Sequence, residues 1–432
     1  MLNNFSKKLC DLAEKYMPEP FTLATMITFF VCAIAVLFTP TTSTQVLEYW
    51  YKDFWSFLPF SMQMCMILVT GFALSTTTVV KKMIRYIARW PKNNVQATFV
   101  VSFISIFFGF INWGLALIIG AFLARQVAIE GRRKNISLHY PILGAAGYMG
   151  LAVWHGGLSG SAPLLLATKG HFLEKFTGIV PVYTTLFSPL NIACTIILLI
   201  GIPVFLAALA PRNEDEMVTF CEQIEEEDDI SSAKSYVGVF LGLVGCVYII
   251  QHLWIQQKNF DLNILNFSFL FIGILLHRDL DNYFHAVKGG VKACAGIILL
   301  FPFYAGIKGI MVHSGLAQNI AQAFADISSS TTLPIYTFIS SGITNFFIPS
   351  GGGQWIVQGD IVIQSSQQLG ISTHKATLAF CYGDQWTNLL QPFWALALLE
   401  ITGLRAKDIM GYCMAVMLVG IPVFITLLYI FH

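Results

Sequence analysis

Long apolar runs separated by short polar connectors fill this chain. The runs fall at 21–39, 57–75, 98–124, 140–168, 181–210, 236–250, 262–276, 289–311, 333–363, 375–399 and 409–431. Several approach the ~20 residues that an α-helix needs to cross hydrocarbon. The pattern predicts an all-α polytopic membrane protein. Two runs are interrupted: 98–124 carries Asn112 near its middle, and 333–363 carries Pro-Ser-Gly-Gly-Gly near its middle.

Composition narrows the class. The chain has 432 residues, 56% hydrophobic and 11% charged, with mean hydropathy +0.67. A soluble domain has ~25% charged residues, so this chain cannot cover a soluble surface of its size. A net charge of +1 gives no footing for nucleic acid. Nine scattered cysteines form no CxxC pair and no His/Cys group with zinc spacing, which reads as small apolar packing residues. Met1–Pro20 is polar and mixed in charge, so no cleavable leader is expected there.

Lys and Arg locate the two interrupted runs. Cytoplasmic flanks are enriched in these residues. Lys81, Lys82, Arg85, Arg89 and Lys92 precede 98–124, and Arg125, Arg132, Arg133 and Lys134 follow it. A single crossing would put one basic flank outside, whereas a re-entrant hairpin satisfies both. Treating 333–363 as a second hairpin, entering from the opposite face, places 19 of the 25 Lys and Arg residues on cytoplasmic segments. Lys52, Lys169, Lys175, Lys258 and Lys375 are left outside, with Lys308 near the outer end of its helix. The expected topology is N-terminus cytoplasmic, C-terminus periplasmic.

The hairpins also suggest an internal repeat. Adding 233 carries Asn112 to Asn345, Gly109 to Gly342, Gly120 to Gly353 and Gly150 to Gly383. Each half reads helix, helix, hairpin, interrupted helix, helix, and the connecting helix 236–250 inverts the second half. The expected division is a first repeat over 1–210 (scaffold helices 21–75, hairpin and broken helix 98–168, helix 181–210). Residues 211–260 form the linker and connecting helix. A second repeat covers 261–432 (scaffold helices 262–311, hairpin and broken helix 333–399, helix 409–431). Inverted repeats with interrupted helices are a signature of secondary transporters, with the site near the midplane. The linker stretch 213–229 carries nine acidic residues and reads as a solvated connector, with a regulatory contact as the alternative.

Four stretches break helical periodicity: Phe110–Gly114, Trp154–Pro163, Asn345–Trp355 and Gly383–Pro392. Backbone freed from helical bonding survives in a membrane only where protein buries it or a cavity receives it. Such backbone offers carbonyls to cations, and N–H groups at helix N-termini to anions. Asn112 and Asn345 are expected at the hairpin tips, each with two donors and an acceptor. Ser350, Gly351, Gly352 and Gly353 offer unhindered N–H groups for an anion, and double as a tight turn at the tip. His155 and Asp384 are the ionisable residues within the broken stretches, where a charge is a functional signal by default. Lys308 either neutralises an anion or snorkels to the interface. The stretch "GLSG" (157–160) matches the GxSG nucleophile segment of intramembrane proteases, but His155 is only two residues from Ser159, a poor base for it. "PSGGGQ" lacks the G-K-[ST] of a P-loop.

At these residues the sequence resembles the bacterial short-chain fatty acid transporter family (AtoE type). The stretches that carry the resemblance are "MPEPFTLA" (17–24), "FWSFLPFSMQMCMILVTGFAL" (54–74), "WHGGLSGSAPLLLAT" (154–168), "FPFYAGI" (301–307) and "FIPSGGGQWIVQGDIV" (347–362). The resemblance implies an inner-membrane carrier, not an enzyme, for carboxylates such as acetoacetate or butyrate, with no cofactor beyond Na⁺ or H⁺ as coupling ion. More distantly the chain resembles the ion transporter superfamily that includes dicarboxylate/sodium symporters. That likeness implies a homodimer working as an elevator, with one cation at each tip and substrate between the tips. It pairs Asn112 with His155–Ser161, including Gly156, Ser159 and Ser161, and pairs Asn345 with Asp384, Thr387 and Asn388. The tips read "INW" and "TNF", sharing only Asn with the Ser-Asn-Thr tips of those symporters. Substrate contacts are expected from Asn112, His155, Asn345, Ser350, Gly351, Gly352, Gly353 and Gln354, with an apolar tail against Trp113, Trp355 or Phe346. An uncoupled anion channel built on the same hairpins is the alternative.

Overall fold

The computed structural model describes residues 20–212, 236–346 and 348–431. Among these residues every regular element is helical. The first half contains α1 (Pro20–Phe38), α2 (Ser43–Phe54), α3 (Leu58–Ser75), α4 (Thr78–Ile87), α5 (Asn94–Ile111), α6 (Trp113–Arg133), α7 (Tyr140–Tyr148), α8 (Ser161–Ala167), the short α9 (Glu174–Thr177) and α10 (Val182–Leu186), and α11 (Pro189–Leu209). A peripheral helix α12 (Tyr236–Ile250) joins it to α13 (Leu262–His277), α14 (Leu280–Val291), α15 (Ala295–His313), α16 (Leu316–Asp326), α17 (Thr332–Asn345), α18 (Gly351–Gln368), α19 (Thr373–Thr387), α20 (Pro392–Thr402) and α21 (Ala406–Ile430). Among the described residues seven helices are long and apolar enough to cross a membrane: α3, α5, α6, α11, α12 with its continuation to Ile255, α15 and α21. The chain is a multi-pass membrane protein. The acidic stretch 213–229 lies outside the described residues.

The apolar runs locate the long helices well, and miss, besides the four-residue α9, four longer ones: α2, α4, α14 and α16. These are amphipathic, so no window of unbroken hydrophobicity marks them. In α4 Val80, Ile84 and Ile87 point inward at helical spacing while Lys81, Lys82 and Arg85 share the stretch. Side-chain caps start three of them: Thr42 and Gln45 form a capping box on α2, Thr77 caps α4 and Asp279 caps α14. Each half therefore runs long helix, short amphipathic helix, long helix, short amphipathic helix, helical pair, broken helix, long helix.

The two helical pairs fold back as hairpins. In the first, a Cβ on Gly120 would lie 2.9 Å from Ser105 Oγ, so residues nearly equidistant from Asn112 face each other. In the second, Gln354 Nε2 donates to Ser341 O at 2.8 Å and Gln358 Nε2 donates to Thr344 Oγ1 at 2.9 Å, both from α18 to α17. Each hairpin then lies against its own broken helix through glycine. A Cβ on Gly109 would sit 2.0 Å from Gly150 O, and one on Gly383 would sit 2.1 Å from Phe338 O and 2.9 Å from Gly342 N. Bare backbone is required at both places because backbone is what it meets.

Those contacts give a stability prediction. Gly109→Ala and Gly383→Ala force a methyl into a neighbouring backbone and cost at least ~1–3 kcal/mol each. Gly201, where an added Cβ meets nothing within 4 Å, is the control. Thermal unfolding of the purified protein in detergent is expected to shift down for the first two and not for Gly201→Ala. A Gly109→Ala protein that melts like the parent contradicts the packing.

Candidate functional site

Three of the four breaks are narrower than the sequence suggested, while the one in the first broken helix begins five residues earlier, at Met149. α7 passes into 3₁₀ turns at Met149–Ala152 and Trp154–Gly156, runs extended through Gly157 and resumes as α8 at Ser161. The second broken helix stays regular through Asp384 to Thr387, turns 3₁₀ over Asn388–Leu390 and restarts at Pro392. Asp384 thus sits on an intact helix, because Gly383 is tolerated in a buried helix whose neighbour needs close approach. Gly351–Gly353 is likewise not the hairpin turn. α17 ends at Asn345 and α18 begins at Gly351, so the three glycines form the first turn of α18. Each glycine yields to a ring or an acid: Gly351 to Trp154, His155 and Asp384, Gly352 to Phe60 and Phe301, Gly353 to Tyr304.

At the first tip Asn112 alone separates α5 from α6. Its Oδ1 accepts the Leu115 N–H at 2.9 Å and caps α6. Its Nδ2 is buried with no hydrogen-bond partner. The tip is bonded to the broken stretch beside it: Trp113 N–H donates to Ser159 Oγ at 3.1 Å, and Leu158 N–H donates to Phe110 O at 2.7 Å. Ser161 Oγ turns instead toward Met64 Sδ.

At the second tip Asn345 plays a different part. It ends α17, and Ser350 caps α18 by accepting the Gly353 N–H at 3.2 Å. Asn345 Nδ2 donates to Asp384 O at 2.7 Å, Thr387 Oγ1 at 2.9 Å and Asn388 Oδ1 at 2.6 Å. Gln391 Nε2 donates to Asn345 O at 2.6 Å. Asn345 Oδ1 and Asp384 Oδ1 are buried with no hydrogen-bond partner. The structure thus brings Asn345 together with Asp384, Thr387 and Asn388. Gln354 points away from the tip, toward Ser341 and Gln358.

One ion-pair geometry joins the two broken helices. His155 Nδ1 lies 2.6 Å from Asp384 Oδ2, and both side chains are fully buried. His155 Nε2 lies 3.2 Å from the Ala162 N–H, a group that can only donate. Nε2 is therefore the acceptor, and the proton is on Nδ1, donated to Asp384. The imidazole also stacks on Trp154 at 4.3 Å. Gln385 Oε1 accepts from the N–H groups of His155 and Gly156, and Tyr148 Oη reaches the carbonyls of Asn388 and Gln391. With both His155 nitrogens engaged and Ser159 Oγ bonded to Trp113, no base stands on Ser159.

Between the tips lies one small cavity. Ser161, Ser350, Gly351, Gly352 and Asn388 give it a polar side, and Trp113, Trp154, Trp394, Phe301, Leu151, Ile297 and Met64 an apolar one. It holds about 20 Å³ of free space, room for one water and not for an organic acid. Of the three residues expected against an apolar tail, Trp113 lines it. Trp355 is buried against Phe380 instead, and Phe346 is not in the lining. Trp394, Phe301 and Met64 are lining residues that sequence reasoning missed. Trp394 follows the Pro392 restart by two residues, a position the break itself could have flagged. Lys308 neither faces this cavity nor snorkels: Nζ bonds Asp53 Oδ2 at 3.2 Å beneath Phe57 and Phe172.

The pair predicts an asymmetry. His155→Ala strips the last hydrogen bond from a buried carboxyl and costs ~1.5–3 kcal/mol, the worth of a hydrogen bond to a charged group. Asp384→Asn keeps an acceptor for the Nδ1 proton and costs less. Thermal melts of the two purified variants test this, and a His155→Ala protein as stable as Asp384→Asn contradicts it.

Comparison with known proteins places this chain in a family. The Short chain fatty acid transporter family profile matches residues 1–431. A relative from Escherichia coli (strain K12) is 36% identical over 438 residues, covering 98% of this chain and 99% of the relative. One from Haemophilus influenzae is 36% identical over 451 residues, covering 99% of this chain and 100% of the relative. Both carry the name "Putative short-chain fatty acid transporter". Among solved structures, the Alcanivorax borkumensis YdaH transporter, described as having an unusual topology, aligns at TM-score 0.59 and 13% identity over 96% of this chain and 98% of its own. Neisseria gonorrhoeae MtrF, described within a class of antimetabolite efflux pumps, aligns at TM-score 0.61 and 14% identity over 96% of this chain and 95% of its own. At these identities the two structures speak to the fold alone.

Proposed function

This chain belongs to the short chain fatty acid transporter family and is a transporter, not an enzyme; on that premise we propose that it carries short-chain monocarboxylates, of the acetoacetate or butyrate class, together with Na⁺ or H⁺ as a secondary active transporter. The observation that carries this reading is the convergence of both hairpin tips and both broken helices on one cavity with a polar and an aromatic side.

The chemistry of the cavity suits a short monoanion. The first-turn N–H groups of α18, at Gly351 and Gly352, have no intrahelical partners, and they sit at the positive end of the helix. A carboxylate placed there lies beside Ser161 and Ser350, with its alkyl tail on Trp113, Trp154, Trp394 and Phe301. The cation belongs at the second tip, where the buried, unpartnered oxygens of Asn345 and Asp384 adjoin Thr387 and Asn388. At the first tip, with Asn112, Gly156 and Ser159, the unpartnered atom is the Asn112 amide nitrogen, a donor. That tip suits an anion better than a cation.

The halves are an inverted repeat in this reading, with the hairpins re-entrant and the N-terminus in the cytoplasm of a cell whose inner membrane holds the protein. The recurring element order, the glycine contacts at matching separations and the basic flanks of the first hairpin support it. The hairpins and broken helices slide as an elevator against scaffold helices 21–75 and 262–311, in a homodimer. A cavity too small for its substrate supports a carrier, which must move to load, over an open channel.

Proteoliposome uptake of labelled butyrate, with Na⁺ and pH gradients imposed separately, tests this. Uphill accumulation under one of them is expected; equilibration without accumulation favours the channel. Asn345→Ala is expected to cut uptake about tenfold or more. Trp394→Ala is expected to shift preference toward longer acids by about tenfold per methylene. Unchanged uptake in Asn345→Ala contradicts the site.

A further inference from the structure

A second buried polar cluster lies where α18 meets the scaffold, away from the tips. Tyr304 of α15 packs on Gly353 of α18, where an added Cβ would lie 2.4 Å from its ring. One turn further along α15, Lys308 Nζ bonds Asp53 Oδ2 at 3.2 Å and lies 5.7 Å and 5.5 Å over the rings of Phe57 and Phe172. His313 Nε2 lies 3.4 Å from the other oxygen of Asp53. Two turns along α18 from Gly353, Gly359 packs on the Phe172 ring, and the fields of Lys308 and Asp53 reach the next residue, Asp360. Asp360 is only 4% exposed, and its Oδ2 has no hydrogen-bond partner.

The charges do not balance as they stand. One ammonium serves two carboxyls, and Lys308 and Asp53 are the charged groups whose fields reach Asp360. Other titratable side chains on elements packed against α18 are engaged elsewhere: Asp384 with His155, Glu174 with the Gly170 N–H, His171 with Gly178 O, His374 with Ser372 and Asp326 with Gln322. Lys375 stands at the start of α19, two residues into that helix. With both acids ionised the cluster holds a net negative charge in largely buried surroundings, Asp360 being 4% exposed and the Lys308 and Asp53 side chains 14%, which is costly. A metal cation does not answer the deficit, because Lys308 and His313 occupy the two Asp53 oxygens and the one remaining carboxylate, Asp360, cannot fill a cation's shell. One proton does.

We propose that Asp360 is a proton-binding site of the transport cycle, distinct from the hairpin tips, so that H⁺ is a coupling ion. This rests on the transport reading above. Asp53 and Lys308 belong to the scaffold, and Asp360 to the hairpin arm. An ionised Asp360 competes with Asp53 for Lys308 and pins the arm to the scaffold. A proton on Asp360 Oδ2 returns Lys308 to Asp53 alone and frees the arm to move. Lys308 and Asp53 are positioning residues in this scheme.

The test compares two assays on full-length wild type, Asp360→Asn and Asp360→Glu in proteoliposomes. One is accumulation of labelled butyrate driven by an imposed pH gradient without Na⁺. The other is exchange of labelled for unlabelled butyrate at equal pH on both sides. Wild type is expected to accumulate, with Asp360→Asn losing accumulation about tenfold or more while still exchanging, and Asp360→Glu recovering much of it. Accumulation by Asp360→Asn at the wild-type level overturns the proposal, as does loss of exchange alongside accumulation in a variant that stays monodisperse and melts like the parent. Accumulation driven by Na⁺ and not by pH in the wild type overturns it too, while leaving the transport reading intact. A wild type that neither exchanges nor accumulates butyrate removes the transport reading itself.

Discussion

Backbone released from helical bonding has no water to turn to inside a membrane, and the centre of this protein is organised by that constraint. Four breaks meet there, and each is satisfied by another. The Phe110 carbonyl before the first tip receives Leu158 N–H. The Asn345 carbonyl at the second tip receives Gln391 Nε2, and Asn345 in turn holds the Asp384 carbonyl. His155 and Gly156 N–H groups go to Gln385, and the carbonyls of Asn388 and Gln391 go to Tyr148. The broken helices thus close each other's gaps, so neither is stable without its partner. The His155–Asp384 pair is the charged version of the same exchange.

What is left over after this mutual satisfaction defines the chemistry. The buried unpartnered atoms include some at the tips where a ligand is proposed: oxygens of Asn345 and Asp384 at one, a nitrogen of Asn112 at the other. The sequence positions are related by a common offset, yet the two tips differ in what they leave free. Asn112 spends its oxygen capping α6, whereas Ser350 caps α18 and releases the oxygen of Asn345. The two tips therefore leave free atoms of opposite character, a donor at one and acceptors at the other.

Much of the fold was legible because the membrane imposes a coarse pattern. Long apolar runs gave the long helices, and an Asn or a Gly cluster within a run gave each hairpin. The short helices α2, α4, α14 and α16 were not legible, since their alternating faces resemble polar loops in a hydropathy profile. Helix breaks were placed a few residues early at Gly383 because glycine signals either a break or a close approach, and only the packing of Gly383 on Phe338 tells which. Asp384 and His155 were visible as ionisable residues in apolar surroundings. Asp360 was visible on the same ground but passed over, because it lies in an unbroken stretch of helix. The aromatic side of the cavity, with Trp394 and Phe301, depends on contacts between distant segments that no local pattern encodes.

A structure determined with a bromine-tagged short acid, such as 4-bromobutyrate, tests the central claim most directly. The account predicts an anomalous bromine peak between the hairpin tips, bounded by Trp113, Trp154, Trp394 and Phe301, with the carboxylate toward Gly351 and Gly352. A single well-occupied peak elsewhere, with the tip cavity still closed on itself, would contradict it.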